Sequence, residues 1–421
     1  MIKKLIVLAS IFLSINSWAQ DNTASPYSYY GLGEIKFKGT EEIRSIGGLG
    51  IVADSIHLNI LNPASYSKLR FSTFAIGSTS NFTTFKSDNV SEKSQRTNLN
   101  YIAIGFPVKK FGVSFGLMPY SAVGYKIENT EFNIIDNTER NKRSTGNGNI
   151  NSLFAGTGYT INKNFSVGIN VNYNFGEIES QYVESIYSPF ILQLRSREKN
   201  ISNITGLSFN AGLFYSTKLK NNKNLYASFT YNPETKLTSK NSRNIATIIY
   251  NVNGQELISN PSEDIAVDDQ KLVIPSKYSL GGGIGVKNKW LLGTEITFTE
   301  NSKTTNRFGK IDGVTYENSA RIAFGGYFIP KYDSFSSYFS RITYRAGFRY
   351  ENSGLVIRNE SINDYGMNFG LGLPVGLSKI NLGFEYGKKG TTTQNLIQEN
   401  YFNINVGFSL NDLWFRKREI N

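Results

Sequence analysis

The 421-residue chain has no cysteine, a single histidine, ten prolines and no long apolar run after its first residues. The lack of cysteine excludes disulfides, thiolate catalysis, Cys-ligated zinc and the usual bacterial lipid attachment behind a leader. The lone His57 argues against a histidine metal site or a hydrolase triad. No stretch of about 18 apolar residues follows the N-terminus, so no transmembrane helix is expected. What is abundant is glycine (39), tyrosine (25) and phenylalanine (29), at a mean hydropathy of only −0.29. That combination fits a wall in which only alternate residues face lipid.

The N-terminus pairs Lys3 and Lys4 with the apolar run Leu5 to Leu13 and the pattern Ser17-Trp18-Ala19. This predicts a secretory signal peptide over residues 1–19. Period-two alternation then recurs along the chain. Phe165, Val167, Ile169, Val171, Tyr173 and Phe175 share one face, opposite Ser166, Gly168, Asn170, Asn172 and Asn174. Phe402, Ile404, Val406, Phe408 and Leu410 alternate in the same way with Asn403, Asn405, Gly407 and Ser409. About fourteen such segments, an even number, predict an all-β, 14-stranded antiparallel transmembrane β-barrel over residues 69–410. Short connections alternate with long polar ones near residues 85–97, 129–148, 177–203, 235–270, 299–317 and 387–398; the connection near 330–339 breaks the pattern. Short periplasmic turns and long external loops place both termini in the periplasm of a Gram-negative-type outer membrane. Residues 20–68 alternate poorly but carry Leu49, Ile51, Val52, Ile56, Leu58, Ile60 and Leu61. They are expected to form a hatch inside the barrel, because an extended periplasmic arm would expose these side chains.

The stretch Gly47-Gly48-Leu49-Gly50, Ala53-Asp54 and then Asn62-Pro63-Ala64 resembles the hatch of the FadL/TodX family, outer-membrane transporters of long-chain fatty acids and aromatic hydrocarbons. So do Pro275 and Trp290, each opening a strand, and the segments Tyr231 to Leu237 and Tyr344 to Tyr350. The resemblance implies a 14-stranded barrel blocked by an N-terminal hatch, with a kink in the third strand that opens the wall sideways to hydrophobic small molecules. The chain departs from that pattern in running on through residues 411–421, a basic periplasmic tail with Trp414, Phe415, Arg416, Lys417 and Arg418.

Pro119 falls in the third predicted strand, about 20 Å above the preceding turn at roughly 3.3 Å per residue and a 40° tilt. There it cannot donate to the ladder. Phe111, Val113, Phe115 and Leu117 before it, and Val123, Tyr125 and Ile127 after it, share its parity, so alternation is expected to continue through it. Met118, Pro119, Tyr120 and Ser121 are the expected lateral opening; a β-bulge that only shapes the wall is the other reading. Parity also turns Arg341, Arg345 and Arg349 inward with Glu295 and Glu385, either bracing the lumen and hatch or holding a ligand carboxylate. Gly281-Gly282-Gly283-Ile284-Gly285 reads as room for the hatch backbone rather than a phosphate loop.

The net charge of +12 collects on the short turns, at Lys109, Lys110, Lys163, Lys218, Lys220, Lys223, Lys287, Lys289 and Lys379. Nucleic acid is not an expected partner of an exported barrel, and a basic rim suits anionic headgroups or an acidic periplasmic protein. No enzymatic activity and no cofactor is expected. The reading that follows is passive uptake of a hydrophobic small molecule; the alternative is a non-transporting barrel that serves as a structural subunit of an outer-membrane secretion or protein-assembly complex.

Overall fold

Every alternating segment becomes a strand, because apolar side chains on one face and small polar ones on the other suit a wall between lipid and an inner plug. The computed structural model describes residues 22–88, 90–133, 138–187 and 194–414. The expected signal peptide, residues 1–19, and the tail residues Phe415, Arg416, Lys417 and Arg418 lie outside these. The barrel strands are β1 (Ser72–Lys86), β2 (Ser91–Val108), β3 (Phe111–Asn133), β4 (Thr138–Thr160), β5 (Phe165–Tyr187) and β6 (Arg195–Lys218). There follow β7 (Asn224–Asn232 and Thr235–Tyr250), β8 (Gln270–Ile274 and Lys277–Val286), β9 (Trp290–Thr299) and β10 (Ser319–Phe328). The wall is completed by β11 (Thr343–Ile357), β12 (Glu360–Val375), β13 (Ser378–Lys389) and β14 (Gln398–Asp412).

The fourteen antiparallel strands close into a barrel: β14 pairs with β1 from Ser72↔Asp412 to Lys86↔Gln398. Closure is what lets strands span lipid, since it satisfies the backbone groups an edge would leave bare. β7 and β8 are both interrupted by proline, at Pro233 and Pro275, and at one level: Asn232 pairs with Lys277 below the breaks and Thr235 with Ile274 above them. The two prolines fall at adjacent positions of this one break, so the lost donors are confined to a single short interruption of the ladder.

Three expectations are corrected. Most of the stretches expected as polar loops near 85–97, 129–148, 177–203 and 235–270 continue as strands, and β3 to β6 run for 23 or 24 residues each. About 9–11 residues suffice to cross, so these strands rise beyond the apolar belt as ribbons. Alternation fades there because water meets much of both faces, whereas backbone pairing persists and leaves no trace in the residue pattern. Second, the faces do not continue through Pro119. Tyr120 is an extra residue between the pairs Pro119↔Asn151 and Ser121↔Ile150, and such a bulge inverts every later side chain. Leu117 is 39% exposed on the outside, whereas Val123 is completely buried inside. Third, Arg341 is not on a strand. It ends a single 3-10 turn, Phe339–Arg341, and lies over the Tyr338 ring, so strand parity does not apply to it.

Inside the barrel the chain from Asn22 to Phe71 is mostly irregular, with one turn of helix, α1 (Glu41–Arg44), and 3-10 turns at Pro26–Tyr29 and Pro63–Lys68. Leu49, Ile51, Leu58 and Ile60 are almost wholly buried. Leu32 joins Tyr120, Val123 and Tyr125 in a cluster with the inner faces of β4 to β8, an association that the inverted face of β3 makes possible.

Candidate functional site

The hatch is seated on rows of wall glycines. Gly158, Gly168 and Gly212 are neighbours across β4, β5 and β6, and a Cβ on any of them would overlap the Asn62-Pro63-Ala64 turn. A second row, Gly283, Gly293, Gly325 and Gly347 across β8 to β11, receives Ile46, Gly47 and Ile51. Gly281 likewise faces Ile51, while Gly282 between them points away with nothing near it.

The hatch motif residues have local reasons. Asn62 is fully buried; its Oδ1 accepts from the Ala64 N–H at 3.1 Å and its Nδ2 donates to the Leu213 carbonyl at 3.0 Å. It therefore caps the 3-10 turn and ties it to β6, while Pro63 at the first position lacks the N–H that would otherwise be orphaned. Gly47 and Gly48, at φ of +77° and +85°, end α1 by donating to the carbonyls of Arg44 (3.0 Å) and Ile43 (2.9 Å). Gly50 donates to Glu295 Oε2 at 2.6 Å. Replacing Asn62 with alanine is expected to cost about 1–2 kcal/mol, a cap and a buried hydrogen bond, measured as a lower midpoint of thermal unfolding in detergent.

The charged seat lies on β11 to β14. Arg349 donates to Glu385 Oε1 at 3.0 and 3.1 Å, to Asp364 Oδ2 at 2.8 Å and to the Tyr401 hydroxyl at 2.7 Å. Arg44 of the hatch approaches the other Glu385 oxygen at 3.6 Å, and Asn403 donates to that oxygen at 3.2 Å. Arg345 donates to Asn381 at 3.0 Å, and Asn381 donates in turn to the hatch carboxylate of Glu42 at 2.8 Å. Arg321 donates to the Gly47 carbonyl. Burial raises the hatch carboxyl of Glu41 to about 8 even against Arg44, with Glu42 and Glu385 pushing the same way. It therefore carries its proton at neutral pH, beside Gly383 and Gly407.

Of the expected lumen residues, the structure brings Arg349 and Glu385 together, ties Arg345 to Glu42 through Asn381, and gives Glu295 to the hatch backbone; Arg341 lies apart. Sequence reasoning missed Glu41, Glu42, Asn381, Arg321, Asp364 and Tyr401. The hatch acids had no periodicity to mark them, and Asp364 lies in a stretch whose alternation is weak. His57 donates from Nδ1 to Asp54 Oδ2 at 2.5 Å, and its backbone N–H donates to Asp54 Oδ1 at 2.8 Å, a local turn inside the hatch.

The wall is incomplete beside Pro119. β2 and β3 pair only from Val108↔Phe111 to Ile102↔Leu117. Above that each strand carries one extra residue, Asn100 in β2 and Tyr120 in β3, and the strands part. Bulges of this kind re-aim side chains and end pairing. The hatch fills part of the gap as a two-residue strand, Glu34↔Ala122 and Ile35↔Ser121, extended by the Lys36 N–H donating to the Tyr120 carbonyl at 3.0 Å. A cavity of about 500 Å³ above the hatch reaches the gap, lined there by Leu99, Asn100, Met118, Pro119, Tyr120 and Ile35. Elsewhere its wall carries Glu34, Lys277, Arg321, Arg349, Glu351 and Lys389. Trp414, the described part of the tail, donates from its indole to Asp412 at 3.2 Å.

A closed 14-stranded wall, an interior hatch and a third strand that loses its neighbour together define an outer-membrane barrel of the FadL/TodX fold. The solved structures agree. The chain superimposes on the Pseudomonas putida toluene transporter TodX at a TM-score of 0.59 and 16% identity, covering 90% of this chain and 98% of that one. The Ralstonia pickettii toluene transporter TbuX gives 0.58 and 12%, covering 89% and 99%; a Pseudomonas aeruginosa FadL homologue gives 0.54 and 13%, covering 90% and 98%. No curated protein matches. The BamG family model matches residues 1–421, and the chain belongs to the BamG family.

Proposed function

We propose that this barrel is a structural subunit of an outer-membrane protein-assembly or secretion complex, its lumen sealed by the hatch. The observation that carries the reading is the ionic seat joining Arg349, Glu385, Asp364 and Arg44, with Arg345, Asn381 and Glu42 beside it. An apolar solute moving down the lumen would have to displace paired, buried charges, which costs far more than the solute gains. The charged side chains on the cavity wall, Glu34, Lys277, Arg321, Arg349, Glu351 and Lys389, support the same reading, since an apolar solute offers them no partner. With the short turns in the periplasm, Lys109, Lys110, Lys163, Lys220, Lys223 and Lys287 form an exposed basic rim suited to an acidic periplasmic partner, with Trp414 to Arg418 as a further docking segment.

A second reading is favoured by the gap between β2 and β3: hydrophobic small molecules passing sideways at Met118, Pro119, Tyr120 and Ser121, as a channel rather than an enzyme. TodX and TbuX are toluene transporters. Native mass spectrometry of the full chain, extracted from its own membranes in mild detergent, separates the two. The subunit reading expects stoichiometric protein partners, released when Arg416, Lys417 and Arg418 are neutralised. A lone barrel carrying an apolar adduct that is lost in Pro119→Val would reverse the order.

A further inference from the structure

Among the described residues, the link between β10 and β11, Ile329 to Ile342, is the longest at the short-turn end of the barrel, and none of its residues belongs to the ionic seat or the hatch. It carries Tyr332, Phe335, Tyr338 and Phe339; Phe335 is wholly exposed, Phe339 is 73% exposed, and the two tyrosine rings also meet water. Single exposed apolar side chains are ordinary, but a cluster of rings on one loop is not. The loop is nonetheless built. The Lys331 N–H closes its base by donating to the Ser340 carbonyl at 2.8 Å, and inside it the buried Ser334 accepts at its hydroxyl from the Ser337 N–H at 3.2 Å. The Tyr338 hydroxyl donates to the Pro374 carbonyl at 3.2 Å, next to the β12–β13 turn, and the Arg341 guanidinium lies 5.4 Å from the centre of the same ring. Ile329 donates to the Lys289 carbonyl at 2.6 Å, which fixes the base of the loop to the β8–β9 turn. Little entropy is lost when a loop already held in one shape binds a partner.

Height and charge say what covers the rings. Phe328↔Tyr344 is the last rung of β10 and β11, and both rings are exposed on the outer wall, where an aromatic girdle marks the edge of the apolar belt. The loop lies beyond that rung, with the Tyr344 hydroxyl donating to the Phe339 carbonyl at 3.3 Å. The loop and the β8–β9 turn bring Lys287, Lys289, Lys331 and Arg341 to one edge, against Asp333 as their single acid. Aromatic rings and arginine inside a charged rim are the composition of a protein-binding hot spot. We propose that this loop is a docking knob, with Phe335 and Phe339 entering an apolar pocket of a periplasmic protein whose rim supplies carboxylates to those four cations. Such a knob rests on the subunit reading, with the short turns in the periplasm, and gives that reading a partner surface: concave, apolar at its floor and acidic at its rim.

The test puts the photo-reactive residue benzoylphenylalanine at position 335 of the full chain in its own cells, and compares its cross-links with the proteins that co-extract in native mass spectrometry. The cross-link is expected on a protein that co-extracts stoichiometrically, at a peptide where carboxylates flank apolar residues. Phe335→Ser/Phe339→Ser should lower retention of that protein roughly tenfold or more, and Phe335→Trp should keep it. Lys287→Gln/Lys289→Gln/Lys331→Gln should release it at lower salt than wild type. Heat-dependent gel mobility confirms a folded barrel in each variant. Full retention by the double serine variant would overturn the knob and leave the subunit reading standing. A wild-type barrel extracted alone would overturn the subunit reading and the knob with it. A cross-link to lipid would make the loop a membrane anchor, and one to a second copy of this chain a self-contact; either would overturn the assignment.

Discussion

Arg349→Leu is expected to lose about 3 kcal/mol of stability, the largest single-residue loss in the lumen. Arg349 satisfies two carboxylates at once, Glu385 at 3.0 Å and Asp364 at 2.8 Å, and Glu385 is only 3% exposed. Leucine fills the space but leaves those charges with Arg44 at 3.6 Å as the nearest cation on Glu385. Unpaired carboxylates in such surroundings must either take up protons or draw in water. The loss should appear as a lower unfolding midpoint and faster hydrogen exchange around Glu41 to Gly50. Adding Glu385→Leu should recover part of it, because the second change removes one of the stranded charges. If the single variant unfolds like the parent, the seat is ornamental and the argument for a sealed lumen weakens with it.

The second large effect comes from one methyl group. Gly168→Ala places a Cβ against the backbone of Pro63 and Ala64, with neighbouring glycines at 158 and 212 already used to their limit by the same turn. Backbone meets backbone there, so no rotamer change relieves it; overpacking of this kind costs about 1–3 kcal/mol. The hatch should shift, and ion conductance of the barrel in a planar bilayer should rise above the closed baseline. Gly282→Ala is the matched control, since nothing lies within 4 Å of its Cβ. It should leave conductance and thermal midpoint unchanged. Identical traces from the two variants would mean that the hatch does not rest on the glycine rows.

These expectations depend on features of unequal legibility. Outward Ile169, Tyr173 and Phe402 and inward Asn170, Asn174 and Asn405 fall where period two puts them, because a lipid-facing wall penalises each misplaced side chain. Arg345 and Arg349 were legible as inward for the same reason. Their partners were not. Glu42 is 303 residues from Arg345, and no local pattern couples the two.

By itself the sequence determined a lipid-embedded, even-stranded barrel and an apolar N-terminal segment that had to be buried in it, since alternation and the need to hide leucine and isoleucine act residue by residue. Only the tertiary structure decided which way β3 faces above Pro119, which carboxylate each arginine holds, and where the wall parts. Those outcomes turn on single extra residues, Asn100 and Tyr120, whose effect is to shift the register of a whole ladder. Register is a property of two strands together, and neither strand carries it alone.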